Sequence, residues 1–178
     1  MHFSHKLIFL VLLIPLCVGG TENQTDKKYL DSALRREGNP ENGKKIFKDK
    51  RALCSECHSI DGQADGIGPD LSAAGDKFSR ADLILSVMNP SANIMAGYGT
   101  TVIETKDQSK FMGILKSVSD NEITLSNLGE RKKVIQKTDI KKQSTSSVSL
   151  MPASLHAQLE VNEFTDLISF LESLKQPI

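Results

Sequence analysis

The chain has 178 residues, 39% of them hydrophobic and 25% charged, with 22 lysines and arginines against 22 aspartates and glutamates. This is the arithmetic of a single globular domain, and it excludes collagen-like, coiled-coil and wholly disordered chains. A formal net charge of zero removes the diffuse attraction on which nucleic-acid binding by bulk basicity depends, so no nucleic-acid partner is expected and any partner is met through a local patch.

The first twenty residues read as a secretory signal peptide. Lys6 and two histidines precede the apolar run Leu7–Val18, and Val18-Gly19-Gly20 supplies the small residues of a cleavage site. The run is interrupted by Pro15 and falls short of the ~20 residues that a membrane-spanning helix needs, so no membrane span is expected once the signal is cleaved. Retention as an N-terminal anchor is the alternative; lipid attachment at Cys17 is disfavoured by Leu16, which stands where a small residue belongs. The mature protein is then periplasmic or otherwise extracytoplasmic, with Cys54 and Cys57 as its only cysteines. Oxidising export has not been used to build a disulfide framework.

Residues 21–38 are polar and read as a loose or partly helical extension. Asn39-Pro40-Glu41 then combines an N-cap, a proline at the first helical position and an acid in the first turn, opening a helix through Gly43, Ile46 and Phe47. Next comes Cys54-Ser55-Glu56-Cys57-His58, the C-x-x-C-H pattern of covalent haem attachment, in which two thiols form thioethers and the adjacent histidine binds iron. Two intervening residues bring both sulfurs to one porphyrin edge and put the following side chain under the metal. A zinc site needs about four ligands, and His156 is the only other mature histidine or cysteine. A thioredoxin-like pair wants a βαβ setting, and a plain disulfide leaves His58 unexplained.

Ten residues after His58 begins Gly68-Pro69-Asp70-Leu71. A metal-bound histidine donates its second ring N–H to a carbonyl or carboxylate, and the Pro69 carbonyl is the candidate acceptor; the bland alternative is an ordinary turn. Gly66-Ile67-Gly68 does not complete a dinucleotide fingerprint, because Leu71 stands where its third glycine belongs. For the second axial position the chain offers Met88, Met95, Met112, Met151 and His156. Met88 lies on a helical stripe and Met112 in a strand-like run, both readable as packing. Met151 is favoured because Pro152 holds it out of helical conformation, with Met95 in the loop Asn89–Gly97, His156 or an open site as competitors. His156 alone reads as a surface residue on a short helical turn.

Between Tyr98 and Met151, the segments Thr100–Thr105, Lys110–Val118, Glu122–Ser126 and Arg131–Gln136 are strand-like, giving a small antiparallel β insert over residues 99–146. Its Lys132, Lys133, Lys137, Lys141 and Lys142 read first as charges guarding exposed sheet edges, and alternatively as a docking surface for an acidic partner. Residues 143–149, rich in Ser and Thr, read as a linker. Phe164, Leu167, Ile168, Leu171 and Leu174 recur at helical spacing, with Asn162 as a plausible cap. Gly43 permits a close crossing of this last helix beside Phe170.

With these residues in place the sequence resembles the c-type cytochromes, and more narrowly the haem-binding domain family typical of planctomycetes and verrucomicrobia. The likeness runs from about Asn39 to Leu174. It rests on Gly43-x-x-x-Phe47, Cys54–His58, Gly68–Leu71, Asn89-Pro90-Ser91 through Ile94 to Gly97-Tyr98, Met151-Pro152, Asp166-Leu167 and Phe170-Leu171. The resemblance implies one covalent haem c on Cys54 and Cys57, His58 and Met151 as iron ligands, the Pro69 carbonyl on His58, and the Gly43/Phe170 crossing. Phe170 stands where that family more often carries Tyr or Trp.

The expectation is a mainly α cytochrome c fold, three to five helices around one haem, with a small antiparallel β insert before the axial methionine. The cytochrome domain would span 39–174 and carry single electrons by outer-sphere transfer, with no general acid, base or nucleophile. Its partners would be redox proteins such as a dehydrogenase or a respiratory complex. A haem-based sensor or peroxidase-like enzyme with a labile sixth ligand, or an adaptor docking through the β insert, are the alternatives.

Overall fold

The computed structural model describes residues 24–63 and 66–176; the segment expected to be a signal peptide, with Cys17, lies outside the described residues. Among the described residues there are six α-helices, two 3₁₀ turns and a five-stranded antiparallel sheet. This overturns the expectation of a mainly α cytochrome fold: the architecture is α+β, with two hydrophobic clusters that share no residue.

The helical body is organised around α6 (Val161–Ser173), whose Phe164, Leu167, Ile168, Phe170 and Leu171 are all buried. Its first turn is fixed by a reciprocal capping box between Glu160 and Glu163. The cap is therefore Glu160 rather than Asn162, whose side chain instead accepts a hydrogen bond from Arg36. Helix α2 (Pro40–Phe47) starts where Asn39 Oδ1 accepts the N–H groups of Glu41 and Asn42. A Cβ on Gly43 would collide with the Asp166 carbonyl and come within 2.6 Å of Phe170 Cβ, so only glycine lets α2 lie this close to α6. Phe47 and Phe170 then meet edge to face with centroids 5.6 Å apart, a favoured aromatic geometry.

The N-terminal extension is a full helix, α1 (Gln24–Arg35), that buries Tyr29 and Ala33 against α6. Tyr29 donates to the Leu159 carbonyl at 2.6 Å and Ser32 bonds to Thr165. Arg80, at the start of α5 (Arg80–Met88), donates to the Ala33 and Arg36 carbonyls at the end of α1, satisfying acceptors that a helix terminus leaves open. Between α2 and α5 lie two single-turn helices, α3 (Cys54–Cys57) and α4 (Ala74–Lys77). Among the described residues no helix is long and apolar enough to cross a membrane.

The sheet comprises β1 (Thr100–Thr105), β2 (Lys110–Val118), β3 (Glu122–Ser126), β4 (Lys133–Gln136) and β5 (Ile140–Ser146), in the order β4-β3-β2-β1-β5. The registers Ile103↔Phe111, Leu115↔Leu125 and Ile123↔Ile135 gather these residues on one face. Ile103 is fully buried although its cluster contains no helix residue; Phe111, Leu115 and Ile140 pack against that cluster. Residues 143–146, read as linker, belong to β5. Its side chains are almost all exposed, so alternation is missing, and pairing with β1 supplies the order. The five insert lysines lie on or beside β4 and β5, the two edge strands.

Candidate functional site

Helix α2 ends at Lys48, and the chain turns through Leu53, which adopts a left-handed conformation (φ 57°), into α3. This single turn sets Cys54 and Cys57 on adjacent rungs and ends at His58, whose backbone is extended and whose N–H bonds to the Cys54 carbonyl at 2.9 Å. Burial pushes the Cys54 thiol up to about 11, and burial also raises Cys57. A disulfide oxidoreductase needs the opposite, a thiolate favoured by its surroundings, and no βαβ unit is present among the described residues. Both cysteines are free thiols, partly buried.

The structure brings His58 and Pro69 together: Nδ1 lies 2.8 Å from the Pro69 carbonyl oxygen. A carbonyl only accepts, so Nδ1 carries the proton and the neutral ring presents its lone pair at Nε2. Burial lowers the His58 pKa, against the Pro69 hydrogen bond, which raises it. The ring rests on Gly68, where a Cβ would come within 2.5 Å of His58 Cε1; the flat contact requires glycine. The loop behind is tied by Asp70, whose carboxylate accepts from the Ser59 hydroxyl, the Gly62 N–H and the Ser72 N–H. Burial raises this carboxyl, and the hydrogen bonds from Ser72, Ser59 and Gly62 outweigh it and hold it below its usual value. Asp70 is a residue to which the motif pattern alone assigns no role.

Met151 stands in the loop between β5 and the 3₁₀ turn Leu155–Gln158, half-buried against the helical core that Cys54 also borders. Its N–H donates to Ser149 Oγ, and the Ser149 N–H donates to Ser91 Oγ, both at 3.1 Å. The loop is thereby pinned to the Asn89-Pro90-Ser91 turn that follows α5. Met95 is exposed and lines a cleft of about 290 Å³ with Pro69, Asp70, Leu71, Phe78 and Tyr98. Pro69, the acceptor of the His58 ring, is thus on the same cleft as Met95. Met88 packs against the helical core, whereas Met112 is 52% exposed on β2 and not the packing residue its alternation implies.

His156 is buried rather than on the surface. Its Nε2 lies 2.9 Å from Asp26 Oδ1, and its ring packs on Tyr29 and Phe164. Through Nε2 it holds α1, while its buried Nδ1 has no hydrogen-bond partner among the described residues.

The sheet touches this site through two cations that no sequence motif singles out for it. Arg131, in the β3–β4 loop, donates to the Glu56 carbonyl inside the C-x-x-C-H turn at 3.2 Å. Lys116 donates to the Gly66 carbonyl at 2.5 Å and lies over the Tyr98 ring. Lys116 is the extra residue of a β-bulge between Leu115 and Ser117, a device that re-aims a side chain. Neither contact leaves a periodic trace in the sequence.

The donor set is that of a covalent haem: two free thiols on one helical turn, followed by a histidine whose Nδ1 is committed to a carbonyl and whose Nε2 receives no hydrogen bond from any described residue. Comparison agrees. A family model for cytochrome c matches residues 40–124. No curated protein matches the chain. The family match supports a c-type cytochrome and implies covalently bound haem c, haem-based electron transfer and redox protein partners.

Proposed function

We propose that the protein is an exported, mono-haem c-type cytochrome that carries single electrons between redox proteins of the periplasm or another extracytoplasmic space, and that residues 39–174 form the cytochrome unit with residues 99–146 inserted in it. The observation that carries this reading is the hydrogen bond from His58 Nδ1 to the Pro69 carbonyl within a C-x-x-C-H turn, because it presents Nε2 as a neutral donor to a metal. Haem c, when bound, supplies the one-electron Fe(III)/Fe(II) couple. Cys54 and Cys57 would hold the group by thioethers, His58 would ligate its iron, and Pro69 would keep the His58 ring from rotating. Met151 would be the second ligand. The Ser149 and Ser91 hydrogen bonds fix its backbone, and its thioether is the soft donor that raises a haem potential. No acid, base or nucleophile is needed, and the protein is a carrier rather than a catalyst. The narrower resemblance to the planctomycete and verrucomicrobial haem-binding domains rests on Asn89-Pro90-Ser91 and Met151-Pro152, the two segments that the serine hydrogen bonds join.

The test is the absorption spectrum of the protein exported with haem-attachment machinery, in both redox states, with and without carbon monoxide, for the parent chain and for Met151→Ala. The expected parent spectrum is low-spin, with a sulfur-to-iron charge-transfer band and no response to carbon monoxide; Met151→Ala loses the band and binds the gas. A parent that binds carbon monoxide has an open or labile sixth position and is a sensor or peroxidase-like enzyme. Absence of covalent haem overturns the reading entirely.

A further inference from the structure

Resting on the electron-carrier reading above, we propose that the β3–β4 loop, residues 127–132, is the surface on which an acidic redox partner docks. Three observations carry it. Arg131 makes the one hydrogen bond, among the described residues, that reaches the Cys54–His58 turn from outside residues 52–69. The loop therefore sits on the turn that carries both haem-attachment sulfurs. An electron leaving by that edge leaves beside this loop.

The loop is also tied by hydrogen bonds of its own. Asn127 Oδ1 accepts from the N–H groups of Gly129 and Glu130 at 2.9 and 2.8 Å, its N–H donates to the Glu130 carbonyl, and its Nδ2 donates to the Met112 carbonyl. A surface already ordered loses little entropy when a partner lands on it.

Its chemistry is the third observation. Leu128 and Met112 are 54% and 52% exposed, an apolar centre that the fold does not use. Around it stand Arg131 and Lys132, with Lys116 at the neighbouring Gly66 carbonyl. Arg131 and Lys116 bond to carbonyls, neither is in an ion pair among the described residues, and Glu130 of the loop is paired with Lys133. Residues 99–146 hold nine lysines and arginines against six acids, in a chain that is neutral as a whole. Guarding the sheet edges accounts for Lys133, Lys137, Lys141 and Lys142, yet it needs neither an exposed Leu128 nor an arginine bound to the haem-attachment turn. The matching partner presents carboxylates around a small apolar spot, the pairing that speeds encounter and fixes orientation without tight binding.

The test uses the haem-loaded protein and two outer-sphere oxidants of opposite charge, hexacyanoferrate(III) and tris(phenanthroline)cobalt(III), in stopped flow at low ionic strength. Lys132→Glu is expected to slow the anion about threefold or more and to speed the cation, with both effects vanishing in high salt. Lys142→Glu, on the opposite edge strand, changes neither rate appreciably. A second readout is independent of reactivity: poly-L-glutamate added to the ¹⁵N-labelled protein shifts the amides of residues 128–133 and Glu56, and Lys132→Glu abolishes the shifts. Equal effects of Lys132→Glu and Lys142→Glu, or amide shifts centred elsewhere, overturn the proposal. A parent chain without covalent haem overturns the carrier reading instead, and the poly-L-glutamate titration still decides the surface.

Discussion

The helical body buries four aromatic rings, Tyr29, Phe47, Phe164 and Phe170, in one cluster, whereas the buried cluster of the sheet is four aliphatic side chains, Ile103, Ile123, Leu125 and Ile135. The difference in composition follows a difference in reach. The body is closed by contacts such as Tyr29 to Leu159, 130 residues apart, so it is complete only after α6 returns. The sheet is a meander of sequence neighbours, with β5 alone coming back beside β1. Low sequence separation favours early pairing in such a unit, while the closing contacts of the body require its last helix. The two regions meet at polar tethers, Arg131 on Glu56, Lys116 on Gly66 and Thr100 on the Val148 carbonyl, which position the sheet without merging the two cores.

Removing the thioether positions tests this contrast most severely. Cys54→Ser combined with Cys57→Ser leaves no haem on the chain after denaturation, read by mass. The loss of a tightly held group costs the body on the order of 3 kcal/mol or more. In hydrogen exchange the amides of Phe47, Leu167 and Ile168 should lose protection, and those of Ile103, Ile123 and Ile135 should keep it. Equal loss in both sets would mean one cooperative unit and break the comparison.

Core truncation sharpens it at smaller amplitude. Phe164 is fully buried, and Phe164→Ala should lower the melting midpoint of the haem absorption by an amount corresponding to about 3–5 kcal/mol. Leu125→Ala, of similar burial in the sheet, should cost about 2–5 kcal/mol in the amide signals of β2–β4 and leave the haem transition nearly in place. Thermal melts followed by both probes separate these outcomes.

How much of this is legible in the sequence depends on whether the cause is local. Helix α2 is marked by Asn39-Pro40, α6 by its apolar stripe, and β1 to β3 by runs of β-branched residues. The His58–Pro69 hydrogen bond is legible as geometry because a histidine in this motif needs an acceptor and Gly68-Pro69 supplies a bare carbonyl at the right distance along the chain. The expectation of a mainly α fold fails because it weighs the sheet as an appendage: β5 is an exposed edge strand of Lys, Gln, Ser and Thr, ordered only by the β1 backbone. Helix α1 reads as loose because Tyr29 and Ala33 are the only residues it buries. The roles of Arg131, Lys116 and His156 escape the sequence for one shared reason. Their partners, Glu56, Gly66 and Asp26, lie 50 to 130 residues away, and nothing in a local window announces them.

The smallest expected effect concerns acid. In the body, Arg51 bonds to Asp49 and Glu163 and joins the end of α2 to α6; in the sheet, Lys141 bonds to Glu104 across the β5–β1 edge. The hydrogen bonds from Arg51 hold both its carboxyl partners below their usual values, and the bond from Lys141 does the same for Glu104. A carboxyl whose folded pKa is lowered stabilises the fold at all pH values above its unfolded pKa, and that gain fades as pH falls through the lowered one. Both regions should therefore weaken as pH falls through the ordinary carboxylate range and below it, modestly, because all these groups face solvent. Arg51→Met should flatten the pH dependence of the haem melting midpoint and leave the sheet amides unchanged, while Lys141→Met should do the reverse. If Arg51→Met keeps the parent's acid slope, the α2–α6 closure does not depend on this ion pair, and the Phe47–Phe170 contact with the Asn39 and Asn42 hydrogen bonds to Asp166 holds the two helices together.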